Sequence, residues 1–270
     1  MSFKFLMCPP DYYEIAYEIN PWMSLRRNIN TSVARTQWDL LYKLLTDQIG
    51  VQVELINPVK GLPDMVFTAS AGMVWKHAFI RSNFRHKQRQ PEAAFFESWF
   101  QSHHYEVVTL PKVLYFEGES DAFVAGDYLF CGYHFRSDIQ AHHLVAEIVH
   151  KKMISMALTD ERFYHLDTCF CPISDRTALY YGKGFNESDE HNLRKHIPNS
   201  ILVRIDEALQ FICNSIVVGN KIITPAKCPQ TTEMLRFLGY QVYPVDLSEF
   251  IKAGGNAKCL VLTLERNGTA

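Results

Sequence analysis

Short apolar runs, each opened by a polar side chain, recur five times along the chain at intervals of roughly fifty residues. The copies are Asp64-Met65-Val66-Phe67, Asp121-Ala122-Phe123-Val124, Asp167-Thr168-Cys169-Phe170, Asn214-Ser215-Ile216-Val217 and Lys258-Cys259-Leu260-Val261. In two of them a hairpin turn is explicit, at Gly126-Asp127 before Tyr128-Leu129-Phe130 and at Gly219-Asn220 before Lys221-Ile222-Ile223. Each copy is preceded by another β-like run: Val51 to Leu55, Tyr105 to Leu110, Met153 to Leu158, Ile201 to Ile205 and Tyr240 to Val245. Between them, apolar residues fall at helical spacing over Ala34 to Ile49, Glu92 to Gln101, Ile139 to Lys151, Glu187 to Lys195 and Gln230 to Leu238.

Five strand-rich units with intervening helices predict one closed α/β ring; the rival is an α/β sandwich whose spacing happens to repeat. In a ring, equivalent strand starts face a common centre. Asp64, Asp121, Asp167, Asn214 and the Lys258-Cys259 step are then expected to converge there. A polar position that is Asp in three of five copies suits a pocket that recognises a cation.

With 270 residues, 47% of them hydrophobic, the chain can bury a substantial core, and the lack of a Pro/Gly/Ser linker favours a single domain over 1–270. A net charge of −2 with scattered basic residues speaks against a nucleic-acid surface or a polybasic membrane patch and leaves small molecules as partners. The run Met1 to Met7, cut off by Pro9-Pro10, is too short for a secretory signal, and no apolar stretch approaches spanning length. A cytoplasmic protein is expected; self-association is left open. Seven cysteines, an odd number at irregular spacing, point to reduced thiols. Cys169 and Cys171 share a strand face but lack a second ligand pair, so packing is the reading and neither a metal nor a cofactor is expected.

The candidate chemistry centres on Cys259, in the run Gly254 to Cys259, with His165, Asp167 and the stretch Glu117-Gly118 far upstream. A fold that gathers them has a nucleophile, an acid/base and carboxylates for a cation. Singly, each has an ordinary explanation: a buried cysteine packs as a small hydrophobe, a histidine is often part-buried, and an aspartate often caps a turn.

Phe116-Glu117-Gly118, His165-Leu166-Asp167 and the late Cys259 occur in the order and spacing of the guanidine-modifying superfamily, which the chain resembles. The likeness is closest to the cyanobacterial-type arginine dihydrolases. It runs through Phe5 to Asp11, Ile19-Asn20-Pro21-Trp22-Met23, Pro63 to Ala69, Asp160 to Pro172 and Lys252-Ala253-Gly254-Gly255, nearly the whole chain. The resemblance implies a pentein, a five-bladed α/β propeller with five pseudo-repeats around a central pocket. A guanidinium is planar, permanently cationic and a poor electrophile, so it must be held by carboxylates while a sulfur attacks it. By resemblance, Cys259 attacks the guanidinium carbon, His165 protonates the departing nitrogen and then activates water, and Glu117 and Asp167 complete the catalytic set.

The resemblance also implies that Arg136 grips the substrate α-carboxylate and that Asn20 and Asp64 bind the substrate. Asp121 is either part of the acidic set or an architectural acceptor. Two positions depart from the family. Ser70 stands where deiminases and dimethylargininases carry aspartate and dihydrolases asparagine, and Asn256 stands where a small apolar residue is usual. Asn256 is expected either to shape a tight loop or to touch substrate. The reaction expected is arginine to ornithine, CO2 and ammonia, halted at citrulline if Ser70 cannot support the second hydrolysis. The rivals are dimethylarginine hydrolysis, amidino transfer and a catalytically silent binding pentein.

Overall fold

A computed structural model describes residues 3–265. Of the single domain expected over 1–270, residues 1–2 and 266–270 lie outside the described residues, as do Met1 and Ser2 of the N-terminal run. The strands, in chain order, are β1 (Lys4–Met7), β2 (Gln52–Leu55), β3 (Gly72–Trp75), β4 (Ala78–Arg81), β5 (Glu106–Thr109), β6 (Ala122–Ala125), β7 (Tyr128–Tyr133) and β8 (Lys152–Ala157). They continue as β9 (Phe170–Ser174), β10 (Thr177–Tyr180), β11 (Asn199–Leu202), β12 (Ile216–Val218), β13 (Lys221–Pro225), β14 (Gln241–Val245) and β15 (Leu262–Glu265).

Among the described residues these form five three-stranded sheets, β3-β4-β5, β6-β7-β8, β9-β10-β11, β12-β13-β14 and β15-β1-β2. Each of the first four begins as a tight antiparallel hairpin, such as Val124 opposite Leu129 in β6 and β7. A third strand then adds in parallel after a helical crossover, as β8 does to β7 with Phe130 opposite Ile154. The middle strands are apolar on both faces, with Phe79, Ile80, Leu129 and Phe130 fully buried, because helices cover one side and the ring centre the other. The fifth sheet is closed by the two ends of the fold. β15 runs antiparallel to β1, with Leu6 opposite Leu262, and β2 is parallel to β1.

The expected helices are present as Thr31–Lys43, Glu92–Ser102, Ile139–Val149, Glu187–His196 and Pro229–Phe237. Asn30 caps the first, accepting the N–H of Val33, and Asn186 caps the fourth, accepting that of Asp189. Among the described residues no helix is long and apolar enough to cross a membrane.

Three details correct the sequence reading. The β-like runs that seemed to open each unit instead close the preceding one, because a parallel third strand pairs with the hairpin before the crossover. The last of the run Ile201 to Ile205 belongs to a short helix, Ile205–Ala208. The polar residues of the motif do not start strands; most lie in or beside one-turn 3-10 helices, Gly118–Ser120, Leu166–Thr168 and Lys258–Leu260, immediately ahead of the inner strands. In the first copy the register is off by a whole turn. Pro63 favours an early turn at Pro63–Val66 that carries Asp64, a second turn follows at Thr68–Ala71, and β3 begins only at Gly72. Ser70, rather than Asp64, therefore holds the place beside the turn Gly118–Ser120.

Candidate active site

These turns deliver the candidate side chains to one cavity. Its lining includes Asn20, Asp64, Ser70, Arg136, His165 and Cys259. Glu117 and Asp167 stand directly behind, each fully buried and bonded to a residue of the lining. The turn carrying Glu117 approaches β3 so closely that Gly118 has no substitute. Its φ is +63°, and a Cβ there would lie 2.4 Å from the Gly72 carbonyl oxygen.

Cys259 is 4% exposed, and its thiol donates to Asp167 Oδ2 at 3.4 Å. Asn214 Nδ2 donates to the same sulfur at 3.2 Å, and Asn214 Oδ1 accepts the Cys259 N–H at 3.1 Å. Burial, and next the neighbouring Asp167, push the Cys259 thiol well above its ordinary pKa. Burial likewise raises Asp167 to about 7, against the lowering pull of Lys258. Burial and the Asp167 carboxyl thus both favour the Cys259 thiol over its thiolate.

His165 Nε2 lies 2.8 Å from Glu117 Oε2, which also accepts Arg136 Nη1 at 3.0 Å. Burial opposes ionisation of Glu117, but Arg136 and His165 together outweigh it and hold the carboxyl well below its usual range. Glu117 is thus an anionic anchor for the imidazole. Arg136 also donates to the Ile19 carbonyl at 2.9 Å and lies 4.6 Å over the Tyr164 ring. Asp64 accepts the Tyr17 hydroxyl at 3.0 Å and stands 4.0 Å from Arg89, whose guanidinium is clamped by Glu92 at 2.8 Å. Burial raises the pKa of Asp64. Asp64 Oδ1 and Asp167 Oδ1 are both buried with no hydrogen-bond partner.

Asn20 reaches the cavity while its amide is engaged in its own loop. Oδ1 accepts the N–H of Trp22 at 2.9 Å, and Nδ2 donates to the Ala253 carbonyl at 3.0 Å. Asp121 is an architectural acceptor, taking the Ser137 hydroxyl at 2.6 Å and the Leu166 N–H at 3.0 Å, one residue from His165. Asn256 is not brought to this cavity. Its Oδ1 accepts the N–H of Ala257 at 2.8 Å, its Nδ2 reaches the Gln210 carbonyl at 3.5 Å, and it lines a separate cavity beside Ser248 and Ile251. Cys169 and Cys171 are buried in the largest apolar core, their thiols directed at the carbonyls of Leu166 and Ser215.

Sequence reasoning assigned no site role to Ser120, Arg89 or Tyr164. Asn214 it placed at the ring centre as a repeated polar position, without the hydrogen bonds to Cys259 that the structure shows. Ser120, Arg89 and Tyr164 act through contacts between distant turns that no local pattern announces.

A ring of five α/β sheets whose centre gathers a buried thiol, a carboxylate-anchored imidazole and further carboxylates is the architecture of a guanidine-modifying pentein. Residues 17–266 match the family described as N,N dimethylarginine dimethylhydrolase, eukaryotic, and the chain belongs to that family. Its relatives include a bifunctional arginine dihydrolase/ornithine cyclodeaminase of a Nostoc species, 41% identical over 96% of this chain and 37% of the relative. They also include the N(G),N(G)-dimethylarginine dimethylaminohydrolase of Mycobacterium tuberculosis, 34% identical over 97% of this chain and 85% of the relative. The chain thus spans well under half the length of its bifunctional relatives. Among solved structures, a variant of the N-terminal domain of ArgZ covalently bound to a reaction intermediate superposes with a TM-score of 0.95 at 40% identity, covering 98% of both chains.

Proposed function

We propose that the chain is one catalytic domain that hydrolyses the guanidinium group of free L-arginine through a covalent Cys259 intermediate. The observation that carries this reading is the pair of buried, unpartnered carboxylate oxygens, Asp64 Oδ1 and Asp167 Oδ1, around a cavity that also presents Cys259 and His165. Buried polar atoms call for partners, and a guanidinium brings five N–H donors together with a positive charge. The 41% identity to an arginine dihydrolase supports arginine as the substrate.

A cation seated between Asp167 and Cys259 offsets the burial that keeps the sulfur neutral. With its proton passed to His165, the sulfur adds to the guanidinium carbon. The imidazolium protonates the departing terminal nitrogen, the C–N bond breaks, and ammonia leaves a thiouronium on Cys259. Neutral His165 then takes a proton from water and the hydroxide adds; the C–S bond breaks as the hydroxyl proton of the adduct passes to the sulfur, releasing citrulline, and the proton on His165 is lost to solvent. Glu117 steadies the imidazolium at both stages. The α-carboxylate of the substrate falls to Arg136, displacing its bond to the Ile19 carbonyl, and Asn20 lies nearby to bind the amino acid.

Ser70 lacks the amide that the dihydrolase resemblance places there, so citrulline rather than ornithine is the main product. Dimethylarginine is the second reading, favoured by the family match and by the mycobacterial relative; the chemistry is the same with dimethylamine departing. The reaction needs no cofactor, and the cytoplasm suits a reduced thiol. The test is mass spectrometry of products from L-arginine and from dimethylarginine, beside a Cys259→Ala control. Citrulline that depends on Cys259 supports the proposal, and turnover of the dimethylated substrate alone replaces it with the second reading.

A further inference from the structure

Lys258 and Cys259 are consecutive, yet they serve different cavities. Cys259 lines the substrate cavity, whereas Lys258 lines a second one of about 510 Å³ that shares no lining residue with the first among the described residues. The Lys258 ammonium lies 2.8 Å from Glu119 Oε2 and also donates to the Val261 carbonyl at 3.1 Å. The same carboxylate oxygen accepts the N–H of Thr263, in β15, at 3.0 Å. Glu119 is fully buried and Lys258 nearly so.

Glu119 belongs to the turn Gly118–Ser120, two residues beyond Glu117. Two glutamates of this stretch thus have different tasks: Glu117 meets the His165 ring at 2.8 Å, and Glu119 grips the turn that carries the thiol. Ser120, next along, meets Ser70 of the cavity wall, their hydroxyl oxygens 2.9 Å apart. Among the described residues no hydrogen bond joins the His165 ring to the Cys259 sulfur. Asp167 and Asn214 tie Cys259 to the turn after His165, but the direction of the imidazole is set by Glu117. The bond from thiol to Asp167 is also lost once the sulfur gives up its proton, because a thiolate has nothing to donate. The ion pair of Lys258 with Glu119 takes no part in the chemistry and stays made throughout.

We infer that Lys258 and Glu119 are positioning residues: their buried ion pair holds the turn of Cys259 in register with the turn that orients His165, so that sulfur and imidazole stay aligned after substrate has displaced the contact between Cys259 and Asp167. The inference rests on the reading of Cys259 and His165 as the hydrolytic pair and names what keeps them aligned. Charge-assisted bonds are short and directional, and a misplacement of about 1 Å at reacting atoms costs about a hundredfold in rate. The loss should fall on kcat, because Asn20, Asp64 and Arg136, which hold the amino acid, sit on other segments of the chain.

The experiment is thermal denaturation and steady-state kinetics of Lys258→Met and of the double variant Lys258→Met/Glu119→Gln. Lys258→Met strands a buried carboxylate and should lower Tm. The double variant removes both charges and keeps an acceptor for the Thr263 N–H, so its Tm should return close to that of the parent. Its kcat on arginine should nevertheless stay about ten- to a hundredfold below the parent, with KM within about threefold. A double variant whose kcat recovers together with Tm, to within about threefold of the parent, makes the pair purely structural and overturns the inference, as does a loss carried by KM alone. Should the double variant fail to fold, Glu119→Asp reads the same split, since it keeps both charges and draws the carboxylate back by one methylene; an unchanged kcat there again overturns the inference. If the parent turns over dimethylarginine and not arginine, the arginine reading falls while the same comparison on dimethylarginine decides the alignment. Turnover of neither substrate overturns both.

Discussion

Asn214 and Cys259 are joined by two hydrogen bonds of opposite sense, the amide oxygen accepting the cysteine N–H at 3.1 Å and the amide nitrogen donating to the sulfur at 3.2 Å. The same oxygen accepts the Asn256 N–H at 3.2 Å, and the same nitrogen donates to the Asp167 carbonyl at 3.2 Å. One side chain thus fixes the backbone of Cys259, orients its sulfur and ties both to the turn that carries Asp167.

Asn214→Ala should lower stability by about 1–3 kcal/mol, because buried N–H groups of Cys259 and Asn256 lose their acceptor. It should also slow alkylation of Cys259 by iodoacetamide in the presence of arginine, since the thiolate loses a donor. Thermal denaturation and mass-resolved labelling check the two effects separately. Unchanged labelling would leave Asn214 with a purely structural part.

Glu117→Gln removes the anion shared by His165 and Arg136. Breaking a buried pair leaves Arg136 uncompensated, for an expected destabilisation of about 3–5 kcal/mol. The imidazole also loses its electrostatic support, so kcat on arginine should fall by roughly a hundredfold or more. Steady-state kinetics on folded protein is the check, and a kcat within a few-fold of the parent would contradict the role given to Glu117.

How much of this could be read beforehand differs between elements. The helix over Ile139–Val149 was legible because its buried face repeats at 3.6 residues, and β6 and β7 because a Gly-Asp turn separates two apolar runs. The first repeat misled, since Asp64 and Ser70 are both polar and precede apolar residues, and only the three-dimensional path shows which turn abuts Gly118. Cys259, His165 and Glu117 were found through their order along the chain. Ser120 and the double role of Asn214 depend on pairings between turns some fifty residues apart, which periodicity does not encode. Of the two expectations for Asn256 the structure meets the loop-shaping one, because adjacency in sequence to Cys259 did not bring its side chain into the same cavity.

pH dependence follows from Asp167, whose pKa burial raises to about 7. Below that value the carboxyl is neutral and offers arginine no charge, so KM for arginine should fall as pH rises from 6 to 8. For stability, a raised carboxyl pKa contributes fully below its unfolded value of about 4 and is lost as pH climbs through the folded value. Arginine should therefore protect the Cys259→Ala protein against heat more at pH 8 than at pH 6, measured by the shift in Tm. A KM that climbs over the same interval would refute the assignment.

Asn256→Ala should leave KM for arginine within about threefold of the parent, because the side chain faces Gln210 and a separate cavity. A tenfold rise in KM with unchanged Tm would return Asn256 to the substrate site.

The pairing of β15 with β1 bears on how the ring is assembled. A ribosome delivers Lys4–Met7 early and Leu262–Glu265 only long afterwards, so the first strand must wait with its inner edge unfilled until the other blades exist. Cys259 lies one turn ahead of β15, and its seat beside Asp167 and Asn214 is completed by that late closure. Closing the ring therefore does two things at once: it completes the fifth sheet and encloses Cys259 between Asp167 and Asn214.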